Sequence, residues 1–221
     1  MIALLKKDYI TSRIPYVVAM FIGVVVILII SKLSPIGGLI LSTMGSVFIP
    51  LIVNKFTATE EMRRNYDAII NSFPVKRKDV VYAKYLYYLI IHGISAIVLQ
   101  GVVLWSNIGN HHMTCVVLVA EGIALLYYCI LIGIPNVIYY SFDYEVAIKY
   151  SSIVMFLVAY IPIIIIGGIG SNTNLRNSII SFVNSQNITA VSVGVILLLI
   201  GLALYTVIIL ISVRGYEKRD L

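Results

Sequence analysis

Charged residues are scarce in this chain. Only 12% of its 221 residues are Asp, Glu, Lys or Arg, 60% are hydrophobic, and the mean hydropathy is +1.00. Soluble domains carry about 25% charged and about 45–50% apolar residues, so this chain could not cover itself with polar surface. The same scarcity excludes a disordered chain, which needs high charge and low hydrophobicity. The composition therefore predicts an integral membrane protein.

Cysteine and catalytic motifs are also nearly absent. Cys115 and Cys129 are the two cysteines; they are too few for a disulfide framework and are separated by about 21 Å of helical rise on one predicted helix. The sequence has no G-x-x-x-x-G-K-S/T loop for ATP phosphates, no G-x-S-x-G nucleophile elbow and no H-E-x-x-H zinc motif. We therefore expect this chain by itself to be no enzyme, and to bind no metal or cofactor.

Six long apolar runs organise the chain. A hydrocarbon core of about 30 Å requires about 20 apolar residues of helix, and each run has or approaches that length. Their nearly continuous apolar sequence excludes the alternating strands of a membrane barrel. We therefore predict an all-α fold, with a single membrane domain over residues 1–221 and six transmembrane helices. The predicted spans are Ile14–Ile30, Pro35–Val53, Tyr85–Trp105, Met113–Tyr140, Tyr150–Ile169 and Ala190–Val213.

Basic residues are distributed unevenly between the two sides of these spans. Lys32 and Arg176 fall on one side, so the other 14 of the 16 basic residues fall on the side that holds both termini. Because lysine and arginine favour the cytoplasmic side of a membrane, both termini are predicted to be cytoplasmic. The net charge of +6 is then explained by orientation, and nucleic acid is not an expected partner.

Three further segments have features of their own. In residues 1–13, Ile2, Leu5 and Tyr9 fall at helical spacing, which predicts either an amphipathic interfacial helix or the positively flanked start of span one. Residues 167–189 mix glycine, asparagine and serine with apolar residues, which predicts an outer segment that dips into the membrane. Tyrosines at 82–88, 139–144 and 150 predict an aromatic belt at the cytoplasmic interface.

Residues 54–84 form the one substantial cytoplasmic segment, which we call the elbow. It holds 11 of the 26 charged residues. Thr57 and Glu60 have the spacing of a capping box, which predicts the start of a helix, and Pro74 disfavours its continuation. Between them runs a narrow apolar stripe formed by Met62, Tyr66, Ile69, Ile70 and Phe73.

The elbow has two interpretations. A solvated loop could serve only to set the orientation of the chain, for which the basic cluster Lys76–Lys78 would suffice. An apolar stripe on a charged helix exceeds that need and requires a partner surface, either the bilayer or another protein. We favour docking of a partner, with the short loop Ser141–Lys149 touching the same partner.

Glu121 is the only acidic residue well inside a predicted span. Ionisable groups at that depth are costly and usually face a cavity or a partner, so Glu121 is a candidate for lining a pathway. The alternative is a protonated or hydrogen-bonded glutamate inside the bundle. His111, His112 and Glu121 are a weak metal candidate because a third ligand is not evident, and His92 is expected to be a hydrogen-bonded bundle residue.

The stretch NSFPVKRKDVVYAKY at 71–85 resembles the loop of small bacterial type-two ABC exporter permeases. Those proteins show a Ser-Leu-Pro-Val-basic-basic pattern after span two and enter span three through a Lys-Tyr pair, as at Lys84 and Tyr85. The opening LLKKD at 4–8 is similar to their first helix, and the six-span layout extends the resemblance over the whole chain. Phe73 stands where leucine is usual, which is a conservative departure.

The resemblance implies a permease subunit that pairs with a separate cytoplasmic ATPase, which would bind ATP and Mg. It also implies a second permease chain, identical or different, and a multi-pass location in the bacterial cell membrane. The elbow would act as the coupling helix seated on the ATPase. The matching positions are Asn71, Ser72, Phe73, Pro74, Val75, Lys76, Arg77 and Lys78.

Relatives of this kind export amphipathic cytolytic peptides, the phenol-soluble modulins, or confer immunity to peptide antibiotics. The cargo implied is therefore an amphipathic or hydrophobic peptide, which suits a membrane body with few charges. The alternative is a membrane anchor or sensor that docks a signalling partner through the same elbow. Self-sufficient transport is disfavoured because Glu121 is the only intramembrane acid available.

Overall fold

The computed structural model describes residues 2–63, 76–108, 111–142 and 187–218, together with positions 153, 160, 173 and 174. The described ranges are helical and contain no strand, which confirms the all-α prediction for them. A π-helical turn, Cys129–Gly133, joins the fourth helix directly to the fifth. The helices are α1 (Ile2–Leu33), α2 (Pro35–Arg63), α3 (Arg77–Ser106), α4 (His111–Tyr128), α5 (Ile134–Ser141) and α6 (Asn187–Lys218).

Five of the described segments are long and apolar enough to cross a membrane. They correspond to predicted spans one, two, three, four and six. Predicted span five, Tyr150–Ile169, and the outer segment 167–189 lie outside the described residues apart from isolated positions and the first turn of α6. The six-span count therefore stays a prediction. The five segments are Ile2–Leu33, Pro35–Glu61, Arg77–Ser106, Met113–Ser141 and Val191–Lys218.

The amino-terminal segment is continuous with the first span. α1 has 32 residues and a length of about 48 Å, and it runs through residue 13 without a break. Ser12 donates a hydrogen bond to the carbonyl oxygen of Asp8 at 2.8 Å and also contacts the hydroxyl of Tyr87 on α3. The prediction of a separate interfacial helix over residues 1–13 is therefore wrong, because Asp8 and Ser12 are buried against the bundle. α1 matches the alternative prediction, in which residues 1–13 are the positively flanked start of span one.

The directions of the helices follow from their contacts. α2 runs antiparallel to α1 and α3. Its carboxyl end contacts the amino ends of α1 and α3, and its amino end contacts the carboxyl halves of the same two helices. α4 and α6 run parallel, because Leu118 lies at Gly194, Leu125 at Gly201, and Ser141 at Gly215. The six-span prediction places one further span between α4 and α6 along the chain. It therefore requires these two helices to run parallel, as they do.

Tyrosine dominates the centre of the bundle. Tyr85, Tyr88, Tyr128 and Tyr205 are all fully buried. The hydroxyl of Tyr205 donates to the backbone oxygen of Tyr85 at 2.7 Å, and the Tyr85 hydroxyl pairs with Ser212 at 2.6 Å. The prediction of an aromatic belt facing the membrane interface is wrong for Tyr85 and Tyr88, because their hydroxyls have partners inside the bundle, which makes burial of the two rings favourable. Tyr82 alone of the described residues 82–88 keeps a substantially exposed aromatic ring.

The outward faces of the bundle are apolar. α1 and α6 expose large side chains such as Phe21, 70% accessible, and Leu199, 61% accessible. A soluble chain would not leave so large an apolar surface uncovered. The exposed faces therefore fit a bilayer around the bundle.

Candidate functional site

The two ends of the elbow belong to transmembrane helices. α2 continues to Arg63 and α3 begins at Arg77, while residues 64–75 lie outside the description. The capping-box prediction at Thr57 is wrong, because α2 has already run for many residues there. The Thr57 hydroxyl instead hydrogen-bonds to the backbone oxygens of Val53 and Asn54 at 3.0 Å and to the Tyr88 hydroxyl at 2.8 Å.

A buried ion cluster, Lys7, Asp8, Glu61 and Lys84, connects these two ends. Glu61 near the end of α2 pairs with Lys84 of α3, and its other oxygen accepts from Lys7 of α1 at 2.6 Å. Lys7 also lies 3.0 Å from the carboxylate of Asp8. Two ammonium and two carboxylate groups balance, which compensates the large cost of desolvating each charge. We call this set the elbow-base cluster.

Aromatic and cationic contacts extend the elbow base to the remaining helices. The Lys84 ammonium lies 5.6 Å from the ring centre of Tyr139 on α5. The Arg77 guanidinium lies 5.9 Å from the ring centre of Tyr216 near the end of α6 and donates to the Tyr216 backbone oxygen at 3.5 Å. The residues that flank the elbow therefore touch α1, α2, α3, α5 and α6. A displacement of the elbow would therefore disturb contacts with each of these helices.

The basic cluster within the elbow is described at Lys76, Arg77 and Lys78. Lys76 and Lys78 are exposed, and Arg77 is partly buried by its contact with α6. Asn71, Ser72, Phe73, Pro74 and Val75, the other predicted coupling positions, lie outside the described residues. Their role stays a prediction.

Glu121 belongs to a second polar group, in the middle of the bundle. Its Oε2 accepts from the amide Nε2 of Gln100 at 3.1 Å and lies 3.4 Å from the Ser46 hydroxyl. Its Oε1 lies 3.3 Å from Nε2 of His92. These contacts correspond to the hydrogen-bonded alternative for Glu121, and pathway lining stays a prediction. His92 is hydrogen-bonded within the bundle, as expected.

No group of three or more His, Cys, Asp or Glu side chains that could hold a metal is found in the described ranges. Glu121 is ten residues beyond His111, the first residue of α4, about 15 Å by helical rise. Such a separation does not favour a shared metal site. Cys115 and Cys129 are both buried free thiols.

The sequence was compared with known protein families, curated proteins and solved structures. The family model described as ABC-2 family transporter protein matches residues 3–217, almost the whole chain. The chain belongs to the ABC-2 transporter family. No curated protein and no solved structure matches it.

Membership in the ABC-2 family agrees with the apolar helices in identifying a multi-pass membrane protein. It also implies that this ABC-2 transporter chain works as the permease of an ABC exporter with a partner ATPase subunit. The elbow-base cluster then lies where the membrane-spanning helices emerge towards the segment that resembles a coupling helix. Because of that position, the cluster is the candidate connection between that segment and the membrane-spanning helices.

Several residues of this ABC-2 permease were not predicted as site residues from the sequence, namely Lys7, Ser46, Glu61, Lys84 and Gln100. A signal was nevertheless present in α2, where polar residues recur at helical spacing. Five of these polar residues of α2 are buried, and each of the five contacts a neighbouring helix. A polar line on one face of an apolar helix indicates a buried seam between helices. Its members are Ser42, Ser46, Asn54, Thr57 and Glu61.

Proposed function

We propose that this chain is the transmembrane permease subunit of an ATP-driven exporter, and that the stretch Asn71–Lys78 of its elbow docks on a cytoplasmic ATPase. The observation that carries the proposal is the elbow-base cluster, together with family membership. A loop that only set the orientation would need basic residues at its surface. It would not need a buried ion pair between the helix that enters it and the helix that leaves it.

The ion pair gives the elbow a mechanical connection. Glu61 and Lys84 hold the two helix ends together, and Lys7 fixes both of them to α1. A buried charge cannot separate from its partner without a cost of several kcal/mol, so the three helix ends are expected to move as one unit. The nucleotide cycle of the ATPase would favour different positions of that unit, and α1, α2 and α3 would carry the bias into the membrane.

The finer features of the proposal rest on the resemblance and on charge distribution. Both termini and the elbow face the cytoplasm of a bacterial cell, because the basic residues gather on that side. Two permease chains, identical or different, form the pathway between them. The cargo is an amphipathic or hydrophobic peptide of the cytolytic or antimicrobial kind, and ATP and Mg bind to the partner subunit.

The test is co-purification followed by an activity assay. The tagged chain should bring down a cytoplasmic ATPase, and Phe73→Ala or Arg77→Ala should lower cargo-stimulated ATP hydrolysis in proteoliposomes several-fold without unfolding the membrane part. Lys55→Ala, which removes an exposed charge of α2 outside the coupling stretch, is the matched control and should hydrolyse ATP normally. Normal stimulation in both test variants would refute the coupling role and favour a membrane anchor or sensor.

A further inference from the structure

Pro50 creates an unpaired backbone acceptor inside α2. Proline has no N–H, so the carbonyl oxygen four residues earlier, that of Ser46, loses its helical donor. The ring nitrogen Nδ1 of His92 on α3 lies 2.9 Å from this oxygen. Because a carbonyl oxygen can only accept a hydrogen bond, Nδ1 must carry the hydrogen. The acceptor that Pro50 leaves free therefore fixes the tautomer of His92, which is buried.

The fixed tautomer determines what His92 presents to α4. With hydrogen on Nδ1, a neutral imidazole offers the Nε2 lone pair as an acceptor. That Nε2 lies 3.3 Å from Oε1 of Glu121. If neither group carried a proton there, a lone pair would face a carboxylate oxygen, and a negative charge would be buried without a counter-ion. One proton between Nε2 and Oε1 removes both penalties.

The surroundings of Glu121 decide where that proton sits. Oε2 already has donors in the Gln100 amide and, at longer range, the Ser46 hydroxyl. Oε1 is buried and, as a carboxylate oxygen, has no hydrogen-bond donor. As the hydroxyl of a carboxylic acid, Oε1–H instead donates to Nε2. Beside neutral His92, the acid form therefore satisfies both oxygens, whereas the carboxylate leaves one unsatisfied. A carboxylate beside a protonated His92 would also have both oxygens satisfied, but it would carry the desolvation cost of two charges.

Charge around the pair agrees with this assignment. The partners supplied by the described helices are Ser46 of α2, Gln100 of α3 and Tyr128 of α4, whose ring stacks on His92 at 4.5 Å. All three are uncharged at neutral pH. Glu61 in the same bundle differs, because the ammonium groups of Lys7 and Lys84 contact its two oxygens. Glu61, which is buried, is thus ion-paired, whereas Glu121, which is partly buried, lies among neutral groups.

We propose that the His92–Glu121 pair is a proton-binding site within the membrane-spanning body, in which Glu121 is an un-ionised carboxylic acid that donates Oε1–H to Nε2 of neutral His92. The bound proton joins α3 to α4, and the Ser46 carbonyl and hydroxyl attach both to α2. Loss of the proton to water would turn this attraction into repulsion and loosen the three-helix contact. The site thereby makes the packing of α2, α3 and α4 responsive to proton activity, whether or not an ATPase docks at the elbow.

Infrared spectroscopy of the full-length chain in lipid nanodiscs at neutral pH tests the proposal. The wild-type chain should show a carbonyl stretching band of an un-ionised carboxylic acid that shifts on uniform ¹³C-glutamate labelling and in D₂O. Glu121→Gln should abolish this band. Glu60→Gln, a matched change on α2, should leave it.

His92→Gln provides a second arm, and it keeps the test decisive if Glu121→Gln does not fold. It replaces the imidazole acceptor of Oε1–H with an amide, whose basicity and geometry differ, so the acid band should move in frequency. Absence of an acid band from labelled glutamate in the wild-type chain would overturn the proposal. A band that survives Glu121→Gln, or that is unmoved by His92→Gln, would overturn it as well.

Discussion

Glu61 and Lys84 form a buried ion pair between the end of α2 and the beginning of α3. The two residues lie on opposite sides of the elbow, 23 positions apart, so their contact closes the elbow at its base. Lys7 joins the pair from α1. The proposed coupling role requires the two helix ends at the elbow to move together, and this ion pair holds them together.

Removal of the Glu61 carboxylate is expected to destabilise the membrane body strongly. Glu61→Gln leaves Lys84 and Lys7 without their shared counter-charge, and breaking a buried pair from one side costs about 3–5 kcal/mol. Thermal unfolding in detergent should show a clear loss of stability. Glu60→Gln, one residue earlier on α2, should change it little.

A double substitution distinguishes the ion pair from a general sensitivity of this region. Replacing Glu61 and Lys84 together with Gln and Met removes both charges and should recover much of the lost stability, because no lone charge of that pair remains buried. If the double variant were as unstable as Glu61→Gln, the pair would not be the cause.

Pro50 and His92 are expected to be energetically coupled. In the wild-type chain, His92→Phe leaves the Ser46 carbonyl without a donor, which costs about 1–3 kcal/mol. In a Pro50→Ala background the residue at 50 supplies an N–H to that carbonyl, so the same His92→Phe change should cost less. A double-mutant cycle on unfolding free energies should give a coupling of about 0.5–3 kcal/mol. Strictly additive effects would contradict the assignment of Ser46 to His92.

Hydropathy predicted the helical spans of the described residues. Five of the six predicted apolar runs correspond to the five long apolar segments there, because a span must satisfy all of its backbone groups by itself. Helix ends were predicted less well. α1 and α2 both extend into charged sequence, since Asp8 and Glu61 find partners on other helices that no local pattern reveals.

The site was only partly predictable for the same physical reason. Glu121 was recognisable from its cost in the membrane, but its partners Gln100 and His92 lie on another helix. Tyrosines at 82–88 were assigned to an interface because amphipathic rings suit one, whereas hydrogen bonds to other helices hold Tyr85 and Tyr88 inside the bundle. Pairing between helices decides these positions, and a single sequence does not encode it locally.

The orientation of α3 can be measured with a pair of cysteine variants. Lys78→Cys is exposed at the elbow end, and Ile108→Cys is 79% exposed just beyond the other end. A membrane-impermeant maleimide should label Ile108→Cys in intact cells and Lys78→Cys only after permeabilisation. Cys115 and Cys129 are buried, so the unmodified chain should give a low background. The reverse labelling pattern would place the elbow outside the cell and exclude its contact with a cytoplasmic ATPase.

Close packing of α4 against α6 is expected to depend on glycine. A Cβ at Gly122 would lie 2.7 Å from the Cβ of Leu197, and one at Gly194 would lie 3.0 Å from the backbone carbon of Leu118. Because these contacts involve the helix backbone or its first side-chain atom, the helices must separate to admit a methyl group. Gly122→Ala should therefore lower stability by about 1–3 kcal/mol.

Gly101 on α3 is the matched control for this overpacking. A Cβ there meets nothing within 4 Å, so Gly101→Ala adds only helix propensity and should raise stability by up to about 1 kcal/mol. The two alanine variants should thus shift the unfolding midpoint in opposite directions. Equal shifts would mean that glycine flexibility, and not the approach of α4 to α6, governs the response. A destabilised Gly122→Ala beside a stabilised Gly101→Ala would establish that these two spans pack backbone to backbone.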